Sequence, residues 1–176
     1  INHPDVVDAL SDLPFDWFVF DMEHAPLEIS DVEVLLMPLK NSEITPLVRV
    51  PWNDMVMIKR VLDIGAKGIL VPWVNSREEA EAAVRYASYP PNGVRGTGPR
   101  RCVRYGERDF LDYYGKFEKE ERVIIVQIES AKALENVEEI EEEDLRKALT
   151  TYVYAAEHED RKLLASLRTK TLKHLV

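Results

Sequence analysis

Cysteine is nearly absent from this sequence, since Cys102 is the only one among 176 residues. A single cysteine excludes an intrachain disulfide and favours a reducing compartment such as the cytoplasm. The sequence also lacks a signal peptide and any apolar run near the roughly 20 residues that a membrane helix needs. Basic residues are fewer than acidic ones: the sequence has 23 Lys and Arg but 32 Asp and Glu, which gives a net charge of −9. We therefore expect neither nucleic-acid nor membrane binding.

Glycine-rich turns are missing after every predicted strand, which counts against a dinucleotide-binding, doubly wound sheet. Apolar runs predict strands, and amphipathic segments between them predict helices. The predicted strands cover residues 15–21, 45–50, 67–73 and 122–129, and the predicted helices cover residues 30–40, 54–64, 76–86 and 131–140. Strands that alternate with helices predict an α/β fold with a parallel sheet, and the uniformly apolar strands indicate that both faces of the sheet are buried. Without glycine-rich turns, a (β/α)8 barrel is the favoured architecture.

The first predicted strand carries the clearest functional signal. Its aromatic run ends abruptly in three ionisable groups, Asp21, Glu23 and His24. The carboxyl ends of parallel strands are where barrels and open parallel sheets place their active sites. Charge is costly to bury without a partner, so this cluster indicates a site; an ordinary strand leading into a polar loop is the alternative.

A second unusual segment is the loop of residues 93–106, which contains four glycines and four arginines. Guanidinium groups beside exposed backbone amides can bind an anion. The alternative is a solvated loop whose arginines pair with acidic residues of a neighbouring subunit. The arginines are Arg95, Arg100, Arg101 and Arg104.

Several motifs in a fixed order resemble the HpcH/HpaI aldolases over roughly residues 2–140. The motifs are Asp-x-Glu-His-Ala-Pro from Asp21, Val-Arg-Val-Pro from Val48, Tyr-Pro-Pro-x-Gly-x-Arg-Gly from Tyr89, and Val-Gln-Ile-Glu from Val126. Members of this family are metal-dependent pyruvate aldolases on a (β/α)8 barrel of the phosphoenolpyruvate/pyruvate superfamily. The resemblance implies a homo-oligomer, a trimer or hexamer, that cleaves a 4-hydroxy-2-oxo acid to pyruvate and an aldehyde.

The resemblance also implies a role for individual residues. Glu129 matches the metal-ligating glutamate, and Gln127 matches the active-site glutamine. Arg49 matches the arginine that binds the carboxylate and enolate oxygen of pyruvate. His24 matches the acid–base histidine, with Asp21 as its supporting carboxylate. Oxygen ligands suit Mg²⁺ or Mn²⁺, with Co²⁺ a further option.

The sequence departs from the family pattern after Ile140. There the family continues into a strand that ends in Gly-Pro-x-Asp-Leu, whose aspartate is the second metal ligand, and no such motif follows here. A full barrel needs about 250 residues. We therefore predict a barrel portion at residues 1–140 and a helical tail at residues 141–176, either non-contiguous or domain-swapped. A non-catalytic fragment or scaffold that keeps part of an aldolase barrel is the alternative function.

Overall fold

A computed structural model describes residues 2–140 and the backbone of residues 150–153. Helices and strands alternate along the chain, as the sequence predicts. The helices are α1 (Pro4–Ser11), α2 (Ile29–Leu35), α3 (Met55–Asp63), α4 (Arg77–Ala87), α5 (Phe110–Lys116), α6 (Ala131–Glu135) and α7 (Val137–Ile140). The strands are β1 (Trp17–Asp21), β2 (Thr45–Arg49), β3 (Gly68–Val71), β4 (Val123–Ile128) and β5 (Thr150–Val153).

All five described strands form one parallel sheet in the order β1-β2-β3-β4-β5. Each strand therefore pairs with the strand that precedes it, and helices connect β1 to β2, β2 to β3 and β3 to β4. Consecutive parallel neighbours are the arrangement of a (β/α)8 barrel, so this sheet corresponds to part of one. The prediction of an incomplete barrel is confirmed.

Side chains alternate between the two faces of the sheet. Phe20, Val48, Ile69 and Val126 are buried in one hydrophobic core cluster with residues of the helices. The opposite face is less uniformly covered, because Trp17 on β1 remains 59% exposed. Burial of both faces was therefore a wrong expectation for β1.

Local capping explains where two of the predicted helices begin. Asp54 Oδ1 accepts the Met57 N–H at 2.8 Å before α3, and Ser76 Oγ accepts the Glu79 N–H at 3.3 Å before α4. Gly65 follows α3 with a φ of +105°, a left-handed conformation that glycine adopts without steric cost.

Two helix predictions were wrong at their boundaries. The helix predicted at residues 30–40 begins at Ile29 after the N-cap residue Glu28, whose N–H donates to Asp31 Oδ2 at 2.8 Å. The helix ends at Leu35, and a separate 3₁₀ helix starts at Pro38, where proline provides no N–H for an α-helical bond. The helix predicted at 131–140 is divided into α6 and α7 at Asn136.

Arg95 in the arginine-rich loop is part of the core rather than an anion site. Its side chain is fully buried, and its Nη2 donates to Asp63 Oδ1 at 2.8 Å. The guanidinium lies 4.4 Å from the ring centroid of Tyr89 and 5.4 Å from that of Phe117, so it makes cation–π contacts with both.

The other three arginines of the loop bind groups on α2 and the 3₁₀ helix that follows it. The contacts join Arg100 to Glu33 at 3.6 Å, Arg101 to the Leu36 carbonyl oxygen, and Arg104 to the Lys40 carbonyl oxygen at 3.0 Å. Arginines that bind terminal carbonyls stabilise the end of a helix. All four guanidinium groups therefore bind within the chain, which neither interpretation of the loop had anticipated.

A strand lies within the segment for which a helical tail is predicted. Residues 150–153 form β5, which pairs with β4 in a register that places Gln127 opposite Tyr152. The boundary at residue 140 and the helical tail remain predictions, because residues 141–149 and 154–176 lie outside the described part of the chain. Within the described residues, no helix is long and apolar enough to cross a membrane.

Gly68 on β3 is expected to tolerate no side chain. A Cβ there would lie 2.5 Å from the Val123 carbonyl oxygen and 2.7 Å from Leu47 Cδ2. Gly68→Ala should lower the free energy of unfolding by about 1–3 kcal/mol, as overpacking does. Gly115→Ala is the matched control: its Cβ meets nothing within 4 Å inside α5. It should raise stability by about 0.5–1 kcal/mol. Urea unfolding measures both, and equal stabilities would contradict the close approach.

Candidate active site

The ends of three strands bring the sequence-predicted residues to one edge of the sheet. Asp21 ends β1, Arg49 ends β2 and is its register partner, and Gln127 lies near the end of β4, one residue before Ile128. Glu129 follows β4 directly. Because the strands are parallel, their carboxyl ends meet, and side chains far apart in sequence become neighbours.

Asp21 and Arg49 form a two-pronged ion pair. Arg49 Nε donates to Asp21 Oδ1 at 2.8 Å, and Arg49 Nη2 donates to Asp21 Oδ2 at 2.5 Å. Backbone N–H groups of Glu23 and His24 also donate to Asp21 Oδ1. Burial alone would raise the pKa of Asp21, but the hydrogen bonds from Arg49 and the backbone outweigh it and lower that pKa. The hydrogen bond to Asp21 in turn raises the pKa of Arg49.

Glu23 is the second carboxylate beside Arg49, and sequence reasoning gave it no role. Its side chain is only 10% exposed, and Oε2 lies 3.2 Å from Arg49 Nη1. Burial raises the pKa of the Glu23 carboxyl. Arg49 and His24 oppose this shift, whereas the nearby charges of Glu129 and Asp21 add to it. Arg49 is therefore held between two carboxylates, with a further acid close by.

His24 is the most exposed member of the group. Its side chain is 71% exposed, and Nε2 lies 3.6 Å from Glu23 Oε2. The sequence analysis expected Asp21 to support this imidazole. In the structure Asp21 accepts the backbone N–H of His24 at 3.3 Å, and the neighbouring carboxylate of the ring is Glu23.

Gln127 and Glu129 lie together at the end of β4, as strand alternation predicts for residues two apart. Gln127 is buried, and its Nε2 donates to Glu129 Oε2 at 3.3 Å. The backbone N–H of Trp73 donates to Glu129 Oε1 at 2.7 Å. Both oxygens of Glu129 therefore have a donor, and its carboxylate is fixed in orientation.

Sequence reasoning did not identify Trp73 as a residue of the site. Its φ is +54°, which is uncommon for a residue with a large side chain. A single residue in this conformation costs of order 1–3 kcal/mol and persists only where the surroundings impose it. The position directly after Pro72 gave no sequence signal of this conformation, because the Trp73 backbone bonds to Glu129, 56 residues away in the sequence, as well as to nearby Asn75.

A family model described as HpcH/HpaI aldolase/citrate lyase matches residues 1–160. The chain belongs to this family. The match extends 20 residues beyond the part in which the sequence motifs were found, and it includes β5.

Named relatives agree with this assignment. The chain is 43% identical over 141 residues to a 5-keto-4-deoxy-D-glucarate aldolase of Escherichia coli (strain K12 / DH10B), covering 80% of this chain but 54% of the enzyme. The chain thus spans about half the length of this HpcH/HpaI relative.

Solved structures of the HpcH/HpaI family have the same fold. An aldolase/citrate lyase family protein from Burkholderia cenocepacia J2315 is 26% identical with a TM-score of 0.81, covering 98% of this chain and 72% of the other. An aldolase from Desulfitobacterium hafniense DCB-2 is 24% identical with a TM-score of 0.75, covering 99% of this chain and 88% of the other. The second likeness concerns the fold alone.

The oxygen atoms at the site fit a hard divalent cation in part. Glu129 is a carboxylate with no lysine or arginine bound to it in the described residues, and Gln127 Oε1 is buried there without a hydrogen-bond donor. Oxygen acceptors of this kind suit Mg²⁺ or Mn²⁺. However, no group of three His, Cys, Asp or Glu side chains among the described residues could hold a metal ion. A divalent cation at Glu129 would therefore need further ligands from water, substrate or residues outside the described part.

A cavity of about 250 Å³ shares the side chain of Trp73 with the neighbourhood of the site. Three aromatic side chains and two carboxylates are among the residues that line it: Trp52, Trp73, Tyr86, Glu78 and Glu79. Two acidic side chains disfavour the binding of an anion in this cavity.

The lowered pKa of Asp21 predicts how the free energy of unfolding changes at acid pH. A carboxyl whose pKa is lower in the folded state stabilises the protein above its ordinary pKa of 3.8, and this stabilisation is lost as pH falls through the folded value. The difference in unfolding free energy between wild type and Asp21→Asn should therefore be largest near pH 7 and shrink below pH 3.8. Urea titrations between neutral and acid pH measure it. A constant difference over that range would contradict the shift.

Proposed function

We propose that this protein is a class II, divalent-metal aldolase that cleaves a 4-hydroxy-2-oxo acid to pyruvate and an aldehyde. The observation that carries the proposal is the position of Arg49, whose guanidinium lies between Asp21 and Glu23 at the strand edge that also holds Glu129. Membership of the HpcH/HpaI family supports the reaction class, and the name of the Escherichia coli relative supports an oxo-acid substrate.

Substrate binding is assigned to Arg49. Asp21 occupies Nε and one N–H of Nη2, which leaves guanidinium N–H groups for a ligand. The two carboxylates also fix the plane of the guanidinium, so a substrate carboxylate or enolate oxygen meets a donor that needs little reorganisation. Lysine could not reproduce this planar arrangement.

Glu129 is the residue assigned to hold the metal ion, with Mg²⁺ or Mn²⁺ preferred and Co²⁺ a further option. When bound, such an ion acts as a Lewis acid that polarises the 2-oxo group and stabilises negative charge on its oxygen. Gln127 keeps the Glu129 carboxylate in place through its Nε2 hydrogen bond and presents Oε1 as an acceptor within the buried site.

Proton transfer is assigned to His24. Its exposed imidazole, acting directly or through water, takes the proton from the 4-hydroxyl oxygen of the substrate. The C4–O bond then becomes a carbonyl as the C3–C4 bond breaks, and the electron pair moves into the pyruvate enolate, which is finally protonated at C3. Glu23, 3.6 Å from Nε2, stabilises the positive charge that the imidazole acquires.

We infer a cytoplasmic homo-oligomer, a trimer or hexamer, that acts on a small-molecule oxo acid. The single cysteine supports a reducing compartment, and the family resemblance supports the assembly. Light scattering at micromolar concentration tests the assembly, and a strict monomer would remove that part of the proposal.

The central test is pyruvate release from 5-keto-4-deoxy-D-glucarate and shorter 4-hydroxy-2-oxo acids, with and without EDTA. We expect release that stops on chelation and returns with Mn²⁺. Activity that survives complete chelation would exclude a metal aldolase. Absence of activity under all conditions would favour the alternative, a non-catalytic fragment or scaffold, for which the lack of a three-residue metal cluster in the described residues is the supporting observation.

Arg49→Lys should reduce kcat/KM by at least 100-fold, because lysine keeps the charge but loses the planar set of donors. Arg85→Lys, at an exposed position on α4, is the matched control and should stay within about threefold of wild type. Steady-state kinetics of both variants decide the point. An Arg49→Lys enzyme within threefold of wild type, less than 1 kcal/mol, would place the enolate elsewhere.

Glu129→Gln should abolish Mn²⁺ binding while the fold persists, because the amide oxygen can still accept the Trp73 N–H but carries no charge. Glu135→Gln, an exposed acid on α6, provides the control for a loss of charge near the site. Calorimetric titration with Mn²⁺ gives the affinities, and circular dichroism checks the fold. Unchanged affinity in Glu129→Gln would mean that the ion binds at another residue.

A further inference from the structure

Asn75 lies in the loop of residues 72–76 between β3 and α4, and every polar group of this residue makes a hydrogen bond. Its backbone N–H donates to Glu79 Oε2 at 2.6 Å, and its side-chain Nδ2 donates to the Trp73 carbonyl oxygen at 2.7 Å. Its Oδ1 accepts a hydrogen bond from Ser130 Oγ, and its carbonyl oxygen accepts one from Asn136 Nδ2 at 2.8 Å.

These contacts join two loops that flank Glu129. Ser130 follows Glu129 directly, and its hydroxyl also caps α6 by accepting the Ala133 N–H at 3.0 Å. Asn136 ends α6. Asn75 is therefore the residue that connects the β3–α4 loop to the segment that carries the expected metal ligand.

The link to Glu129 passes through the strained residue Trp73. Asn75 Nδ2 donates a hydrogen bond to the carbonyl oxygen of Trp73. The backbone N–H of Trp73 donates in turn to Glu129 Oε1 at 2.7 Å. The left-handed backbone of Trp73 costs free energy that its surroundings must offset, and the Asn75 bond is a local contact that does so. With Asn75 removed, we expect Trp73 to relax and its N–H to leave Glu129.

We propose that Asn75 is a positioning residue, which fixes the carboxylate of Glu129 by holding the Trp73 backbone and Ser130 on either side of it. The inference rests on the proposed function only in giving Glu129 its role as metal ligand. Partners that orient a ligand without touching the metal typically change metal affinity by 10–100-fold when they are removed.

Asn53 offers a matched control in the neighbouring β2–α3 loop. Its Nδ2 donates to the Glu79 carbonyl oxygen at 2.8 Å, so it makes a side-chain-to-backbone bond of the same kind and length. None of the hydrogen bonds found for Asn53 in the described residues reaches Trp73, Ser130 or Glu129. Asn53→Ala therefore removes a comparable bond without disturbing the Glu129 carboxylate.

The first measurement follows the Trp73 amide itself by NMR-detected hydrogen exchange and needs no metal. Asn75→Ala should increase the exchange rate of this amide at least tenfold, and Asn53→Ala should leave it within threefold of wild type. Asn75→Asp should resemble Asn75→Ala, because it keeps the acceptor for Ser130 but cannot donate to the Trp73 carbonyl. If Asn75→Ala does not fold, Asn136→Ala, which removes the bond to the Asn75 carbonyl oxygen, should show the same direction of change.

The second measurement is calorimetric titration with Mn²⁺. Asn75→Ala should weaken binding by about 10-fold or more, whereas Asn53→Ala should remain within threefold. Unchanged Trp73 exchange in Asn75→Ala, or equal acceleration in both alanine variants, would overturn the proposal. If the wild type takes up no Mn²⁺, the metal function fails, and the exchange rates alone still support or overturn the role of Asn75.

Discussion

The paired charges of Asp21 and Arg49 are the contact on which the rest of the site depends. A guanidinium at the end of a strand would be costly to desolvate alone, and so would the carboxylate beside it. In direct register on neighbouring strands they neutralise each other at 2.5–2.8 Å. Glu23 adds a second negative charge to the same guanidinium. This arrangement fixes the plane of the Arg49 guanidinium and leaves N–H groups for the anion that we propose it binds.

The pattern at the end of its strand identified Asp21, whereas the family resemblance identified Arg49, Gln127 and Glu129. Strand prediction then placed all four near the carboxyl ends of parallel strands, and these ends must meet. The chemical roles of these residues remain predictions, because the geometry shows neighbours and not a reaction. The orientation of each side chain could not be predicted from the sequence. Nothing in the Asp-x-Glu-His motif indicates that Asp21 binds Arg49 or that Glu23 lies beside the imidazole of His24.

Features that depend on contacts between distant segments could not be predicted. The positive φ of Trp73 and the bonds of Asn75 arise where the β3–α4 and β4–α6 loops meet, and no local pattern encodes that meeting. Arg95 is a similar case. An arginine in a glycine-rich loop indicates ligand binding by composition, but here its charge is neutralised by Asp63 and its flat face lies over Tyr89. Burial raises the pKa of that aspartate even though Arg95 opposes the shift. This buried pair therefore resembles a core contact more than a binding site.

Strands that pair with their predecessors set the lengths of the loops that the contacts of this site close. The Asp21–Arg49 pair joins residues 28 apart in the sequence, whereas the Trp73 N–H and Glu129 Oε1 belong to residues 56 apart. Each doubling of loop length adds only about 0.6 kcal/mol to the entropic cost of bringing the ends of the loop together. The two contacts therefore differ little in the cost of loop closure, although one spans twice the sequence of the other.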